Sequence, residues 1–109
     1  PLTLIADNAW CGGIVICSPS KSWRDADLAN LPAKLSYNGG IEYTNTSAAM
    51  GNPLNSLAWL ATLLGEQGRS LKAGDIVMSG STLATKFANK GDRARYEVEG
   101  IGAVEVSID

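Results

Sequence analysis

The last third of the sequence alternates between two kinds of side chain, and this pattern constrains the fold more than any other feature. With Gly100-Ile101-Gly102 as a loop, Tyr96, Val98, Val104, Val106 and Ile108 fall on one side. Arg95, Glu97, Glu99, Glu105 and Ser107 fall on the other. A period of two with one apolar side is the signature of a half-buried antiparallel pair. In that register Glu105 is expected opposite Glu97. A second alternating stretch runs through Leu35 and Tyr37, pauses at Asn38-Gly39-Gly40, and resumes with Ile41, Tyr43 and Asn45. Asn and Gly tolerate positive φ, so this segment predicts another hairpin.

One segment has helical period instead. Leu54, Leu57, Ala58, Leu60, Ala61 and Leu64 recur at 3.6-residue spacing, with Trp59 and Leu63 widening the apolar surface. Asn52 is a good N-cap, Pro53 suits the first helical position, and Gly65 or Gly68 can end the helix. These signals predict a helix over about residues 53–66. Leu2 to Ala9 reads as a short helix or lead-in segment, and Asp25 to Leu31 as one or two helical turns before Pro32. Ile14-Val15-Ile16 and Ile76-Val77-Met78 read as short strands, the first of them buried. Leu71 to Asp75 and Asn89 to Asp92 read as turns. With about six short strands and one helix, the expectation is an α+β fold whose sheet is mixed but mostly antiparallel.

A chain of 109 residues, 45% apolar and 18% charged, makes one domain with one core. The net charge of −2 argues against a nucleic-acid partner. No run approaches the roughly 20 apolar residues of a membrane helix, so no membrane partner is expected. The sequence begins Pro1-Leu2, without a basic and apolar leader, which points to a cytoplasmic protein that is processed or recorded in part. Cys11 and Cys17 flank the first expected strand. Along a strand they would stand about 20 Å apart, beyond the roughly 7 Å that a disulfide allows. Two buried free thiols in a reducing compartment are therefore expected.

With no histidine, the chain has no Ser-His-Asp or Cys-His catalysis and no histidine metal site. Glu97, Glu99 and Glu105 on one face could hold Mg²⁺ or Ca²⁺. A solvated hairpin face explains the same residues, and no metal ligand is assigned. Ser79-Gly80-Ser81 follows an expected strand, where hydroxyls and amides can meet a carboxylate ligand, with Gly80 permitting close backbone approach. Lys72, Lys86 and Lys90 are candidate bases or Schiff-base formers, but they lie near turns and read as solvated. Asp25 and Asp27 beside Arg24 read as a helix start, and Trp10 and Trp23 as core or interface anchors. Cys11 has no partner that would make it a catalytic thiolate.

Several words of the sequence fall together in order. Ile5-Ala6-Asp7-Asn8-Ala9 leads to Cys11-Gly12; Gly51-Asn52-Pro53-Leu54-Asn55 leads to Leu57-Ala58-Trp59-Leu60-Ala61; Leu71-Lys72-Ala73-Gly74-Asp75-Ile76 leads to Ser79-Gly80; Gly91-Asp92 leads to Gly100-Ile101-Gly102-Ala103-Val104. Over nearly all 109 residues this resembles the C-terminal part of the 2-keto-4-pentenoate hydratases and 4-oxalocrotonate decarboxylases of the fumarylacetoacetate hydrolase superfamily. The resemblance implies a β-roll around a cavity, with a helix packed outside. It implies 2-oxo acid substrates, and a Mg²⁺ ion that chelates the 2-oxo carboxylate and stabilises an enolate. The family's metal glutamates and catalytic lysine lie upstream of the segment with which this sequence begins. No catalytic residue and no cofactor are therefore expected in this chain, and Trp10 replaces a serine expected to face the substrate. What carries over is a pocket lining: Asp7, Asn8, Cys11, Ser79, Gly80 and Ser81.

Residues 1–109 are accordingly expected to form one truncated hydratase-like domain without the parent reaction, binding a small 2-oxo acid or serving as an oligomeric scaffold. Half a roll leaves strand edges and apolar surface exposed, so a homo-oligomer, most simply a two-fold dimer, is expected. The alternatives are a complementing chain that supplies the glutamates and lysine, or a longer polypeptide of which this is a piece. Light scattering tests the oligomer: a dimer mass is expected, and a monomer at working concentration overturns it.

Overall fold

The computed structural model describes residues 11–109. The expectations for Leu2 to Ala9, Asp7, Asn8 and Trp10 lie outside the described residues.

Strands β1 (Pro32–Tyr37) and β2 (Gly40–Asn45) form the first hairpin. Asn38 and Gly39 take φ of 49° and 86°, the two positive angles of a type I′ turn, whose twist suits a two-residue hairpin. Strands β3 (Arg93–Val98) and β4 (Gly102–Ser107) form the second. The strand order is β2-β1-β3-β4, and all three pairings are antiparallel. Helix α1 (Pro53–Glu66) lies between the hairpins in sequence. The expected α+β class and helix bounds hold.

The helix termini follow the capping signals. The Asn52 side chain accepts a hydrogen bond from the Leu54 amide at 2.9 Å, and Pro53 occupies the first turn. At the other end Gly68 N–H donates to the Gly65 carbonyl and Arg69 N–H to the Leu64 carbonyl, at 3.0 and 2.7 Å. This is a Schellman ending, so Gly68 stops the helix and Gly65 lies within it.

Several expectations are corrected. The second loop is Glu99–Ile101, and Gly102 already pairs with Val98. Glu105 therefore faces Arg95, while Glu97 faces Ala103. The shift is two residues, so every side chain keeps its side of the sheet although its partner changes. Ile14-Val15-Ile16 and Ile76-Val77-Met78 are not strands, leaving four strands among the described residues. Neither run is paired with a described strand, and strand backbone needs such a pairing. Ile16 is 65% exposed and Met78 72%. Cys11 and Cys17 are free but exposed, not buried. The 3-10 turn after the first segment is Ser22–Asp25, and Asp27 to Asn30 then form a turn.

Ala33, Leu35 and Tyr37 of β1 share a side with Ala94, Tyr96 and Val98 of β3, Val104 and Val106 of β4, and Glu42 and Thr44 of β2. Lys34, Arg95, Glu97 and Glu105 lie on the other. Burial is sparse: among the described residues only Ala33, Ala49 and Thr46 are buried. No residue of α1 is buried, and Trp59 is 63% exposed. No helix among the described residues is long and apolar enough to cross a membrane.

Asp92 ties the two hairpins together. Its carboxylate accepts from Tyr37 Oη at 2.5 Å, Asn38 Nδ2 at 2.8 Å and the Asn89 amide at 2.8 Å. Asn38 also accepts from the Arg93 amide at 2.9 Å. The Asn89 amide, then Tyr37 and Asn38, hold the Asp92 pKa below the carboxylate range. The same bond to Asp92 raises the Tyr37 pKa. Glu97 is also lowered, by its bond to Arg95 and the charge of Lys34. Depressed carboxylate values mean stability that is complete above the ordinary range near about pH 4 and lost as pH falls through the folded-state values. Asp92→Asn is therefore expected to be less stable than wild type at pH 7 and to lose less of its stability on acidification. Urea midpoints measured across the acid range check this; parallel curves for the two proteins overturn it.

Candidate functional site: an open cleft over the apolar sheet face

The segment after Asp75 has no regular structure, yet side chains hold it across the sheet. Thr44 Oγ1 donates to the Thr82 carbonyl at 2.7 Å. The Thr82 and Tyr96 hydroxyls share a hydrogen bond of 2.7 Å. Lys86 Nζ meets Glu42 Oε2 at 2.5 Å. Residues 79–86 thus form a strap fixed to β2 and β3.

Between strap and sheet lies an open cleft of about 1040 Å³. Leu35, Tyr96 and Val98 form its floor, and Leu28, Leu31 and Pro53 close one side. Ser79 to Lys86 form the other side. A smaller cavity of about 460 Å³ shares Ser79, Gly80 and Ser81 and reaches Trp59 and Leu60 of α1. This geometry suits a small ligand that is mainly apolar with polar ends.

The structure brings Ser79, Gly80 and Ser81 together on the cleft wall. Ser81 Oγ donates to the Leu83 carbonyl at 2.5 Å, so its proton stays within the strap. Gly80 has φ of 118°, and a Cβ there would meet nothing nearer than Ala49 Cβ at 3.9 Å. Backbone conformation, not crowding, requires this glycine. Cys11 lines none of these spaces; its thiol donates to the Gly13 carbonyl. Cys17 is nearer the sheet, with Sγ 3.6 Å from where a Gly102 Cβ would lie. Asp7 and Asn8 lie outside the described residues.

The described carboxylates do not fit a divalent metal. Glu97 lies 2.9 Å from Arg95 and 3.5 Å from Lys34. Glu105 faces Arg95 at 3.9 Å, Glu42 holds Lys86, and Asp92 has its three donors. Glu97, Glu99 and Glu105 do not converge, because the observed register removes the expected opposition of Glu97 and Glu105. No cluster of three or more Asp, Glu or Cys side chains forms among the described residues.

Sequence reasoning read Lys86 as solvated near a turn and missed its pairing with Glu42, along with Thr44, Thr82 and the polar role of Tyr96. One signal was available. A two-residue turn pairs Tyr37 with Gly40, which puts Glu42 and Thr44 on the side of Leu35, and Ile41 and Tyr43 on the opposite side.

The sequence family described as fumarylacetoacetate (FAA) hydrolase C-terminal matches residues 6–109. The chain belongs to the fumarylacetoacetate hydrolase family. Among the relatives of this family member, a 2-hydroxyhexa-2,4-dienoate hydratase of Comamonas testosteroni is 37% identical over 105 residues. A 2-keto-4-pentenoate hydratase of Paraburkholderia xenovorans is 33% identical over 106 residues. These matches cover 95% and 96% of this chain but 40% and 39% of the relatives. The chain thus spans about two fifths of their length. The structure of 4-oxalocrotonate decarboxylase from Pseudomonas putida G7, complexed with magnesium and adipate, superimposes with a TM-score of 0.88 at 30% identity. That match covers all of this chain and 42% of the decarboxylase. The sequence resemblance to hydratases and decarboxylases of this family therefore holds.

Tyr96→Phe removes the hydroxyl that Thr82 meets. It is expected to cost about 1 kcal/mol and to speed amide exchange over residues 79–86. Hydrogen exchange read by mass spectrometry checks this; unchanged protection of the strap overturns it.

Proposed function

We propose that this chain supplies the ligand-holding cleft of a hydratase- or decarboxylase-type protein for small 2-oxo acids, and that it does not carry out the parent reaction alone. One observation carries the reading. The cleft has an apolar floor, hydroxyls along its strap and one ammonium, while Glu42, Asp92, Glu97 and Glu105 are committed to other partners. Such a site can bind and orient a carboxylic acid. Among the described residues it has no carboxylate set that could hold Mg²⁺ or take a proton. The names of the relatives supply the 2-oxo acid class. The exposed free thiols accord with a reducing cytoplasm.

The exposed apolar surface favours an assembled form of this reading. Leu54, Trp59, Met50 and Met78 are all exposed, and grouped apolar exposure of this kind marks an interaction surface. We infer that other polypeptide covers it, as a second copy of this chain or as a segment that brings the metal carboxylates.

The test is turnover of 2-keto-4-pentenoate by the purified chain with Mg²⁺, followed by loss of substrate absorbance. No turnover is expected from the folded chain alone. Mg²⁺-dependent turnover by the chain alone overturns the proposal.

A further inference from the structure

Among the described residues, Lys86 is the one charged side chain that lines the larger cleft. Its place is set from two directions. The strap carries it over the sheet through the Thr82 contacts to Thr44 and Tyr96, and Glu42 of β2 meets its ammonium at 2.5 Å. Glu42 pairs with Leu35, and Leu35 with Tyr96, so these three residues form one row across the cleft side of the sheet. An ammonium has three N–H donors, so the bond to Glu42 leaves two for another acceptor. The pair is partly exposed, with side-chain exposures of 34% and 44%, and an ion pair in that setting is weak enough for a ligand to join or displace.

The rest of the lining is ordered along the cleft. Ser79, Gly80 and Ser81 stand at one end beside Ala49, and Lys86 closes the strap at the other. Between them the surface is Leu35, Val98 and Leu83, with the Thr82 and Tyr96 hydroxyls hydrogen-bonded to each other. The arrangement is polar, then apolar, then cationic.

We propose that Lys86, carried over the sheet by the strap, anchors a second carboxylate, so that the cleft selects dicarboxylic acids over monocarboxylic acids of the same chain length. The inference rests on the reading that this cleft holds small organic acids. It adds which end of the ligand is recognised and by which residue. The 2-oxo acid end then lies toward Ser79–Ser81, and the carbon chain crosses the apolar floor.

Adipate and hexanoate have the same number of carbons and differ in the second carboxylate, so they are the probes. Binding to the whole chain at low salt is followed by amide NMR shifts. Adipate is expected to bind about tenfold more tightly than hexanoate, the value of one charge-assisted hydrogen bond, and to shift amides near Lys86 that hexanoate leaves unmoved. Lys86→Met is expected to bring the two acids to within about twofold of each other. Glu42→Gln is expected to keep the preference, because the Thr82 contacts to Thr44 and Tyr96 still carry Lys86 over the sheet and the competing carboxylate is gone. Lys34→Met, on the opposite side of the sheet and paired with Glu97, is expected to leave it unchanged. Equal binding of both acids by the wild-type chain overturns the proposal while leaving the cleft reading intact. So does a preference that survives in Lys86→Met, or one that disappears in folded Glu42→Gln, which would make the pair a fastening of the strap alone. Binding of neither acid, with no shift at residues 79–86, removes the cleft reading as well.

Discussion

The sheet depends on one carboxylate. Asp92 joins residues 55 apart in sequence, since its oxygens take hydrogen bonds from Tyr37 and Asn38 while it also closes the turn that begins at Asn89. Either hairpin can form locally, but a two-stranded hairpin alone is marginal in water. Pairing β1 with β3 converts two hairpins into one four-stranded sheet at the cost of closing a long loop. Asp92 stands where that loop closes. The Asn89 amide, then Tyr37 and Asn38, lower the Asp92 pKa, and the Tyr37–Asp92 bond in turn raises that of Tyr37.

Once the sheet is assembled, its two sides have different fates. One side carries Lys34, Arg95, Glu97 and Glu105, which neutralise one another. The other is mostly apolar and is crossed by the strap, itself a segment without regular structure. Polar contacts from Thr44, Tyr96 and Glu42 hold the strap, so the space beneath it stays open rather than collapsing into a core. The scarcity of buried residues and the open cleft are therefore one fact seen twice. A chain that spans about two fifths of its relatives' length has the fold of that part of the family, with large apolar side chains exposed among its described residues.

Local signals were legible wherever the deciding interaction is local. Asn52, Pro53 and Gly68 bound the helix through contacts within a few residues. Asn38-Gly39 makes a turn because both residues accept positive φ. The apolar runs at residues 14–16 and 76–78 misled for the opposite reason. β-branched and apolar composition reports a demand for burial, and only a neighbouring strand can turn that demand into a sheet. The alternation near the C-terminus showed which residues share a side but not which face each other, because a two-residue slip keeps every side chain on its side.

The sequence by itself determined the helix, both hairpins, the polarity of each strand and the family to which the motifs belong, since each rests on backbone preference or on spacing along the chain. The tertiary structure alone decided that Arg95 rather than Glu97 faces Glu105, which sets carboxylates against cations. It also decided that Lys86, near a turn in sequence, reaches Glu42 above an apolar floor. The physical reason is the same in both cases. Charges act through space, and the distances that matter arise only after strands far apart in sequence have paired.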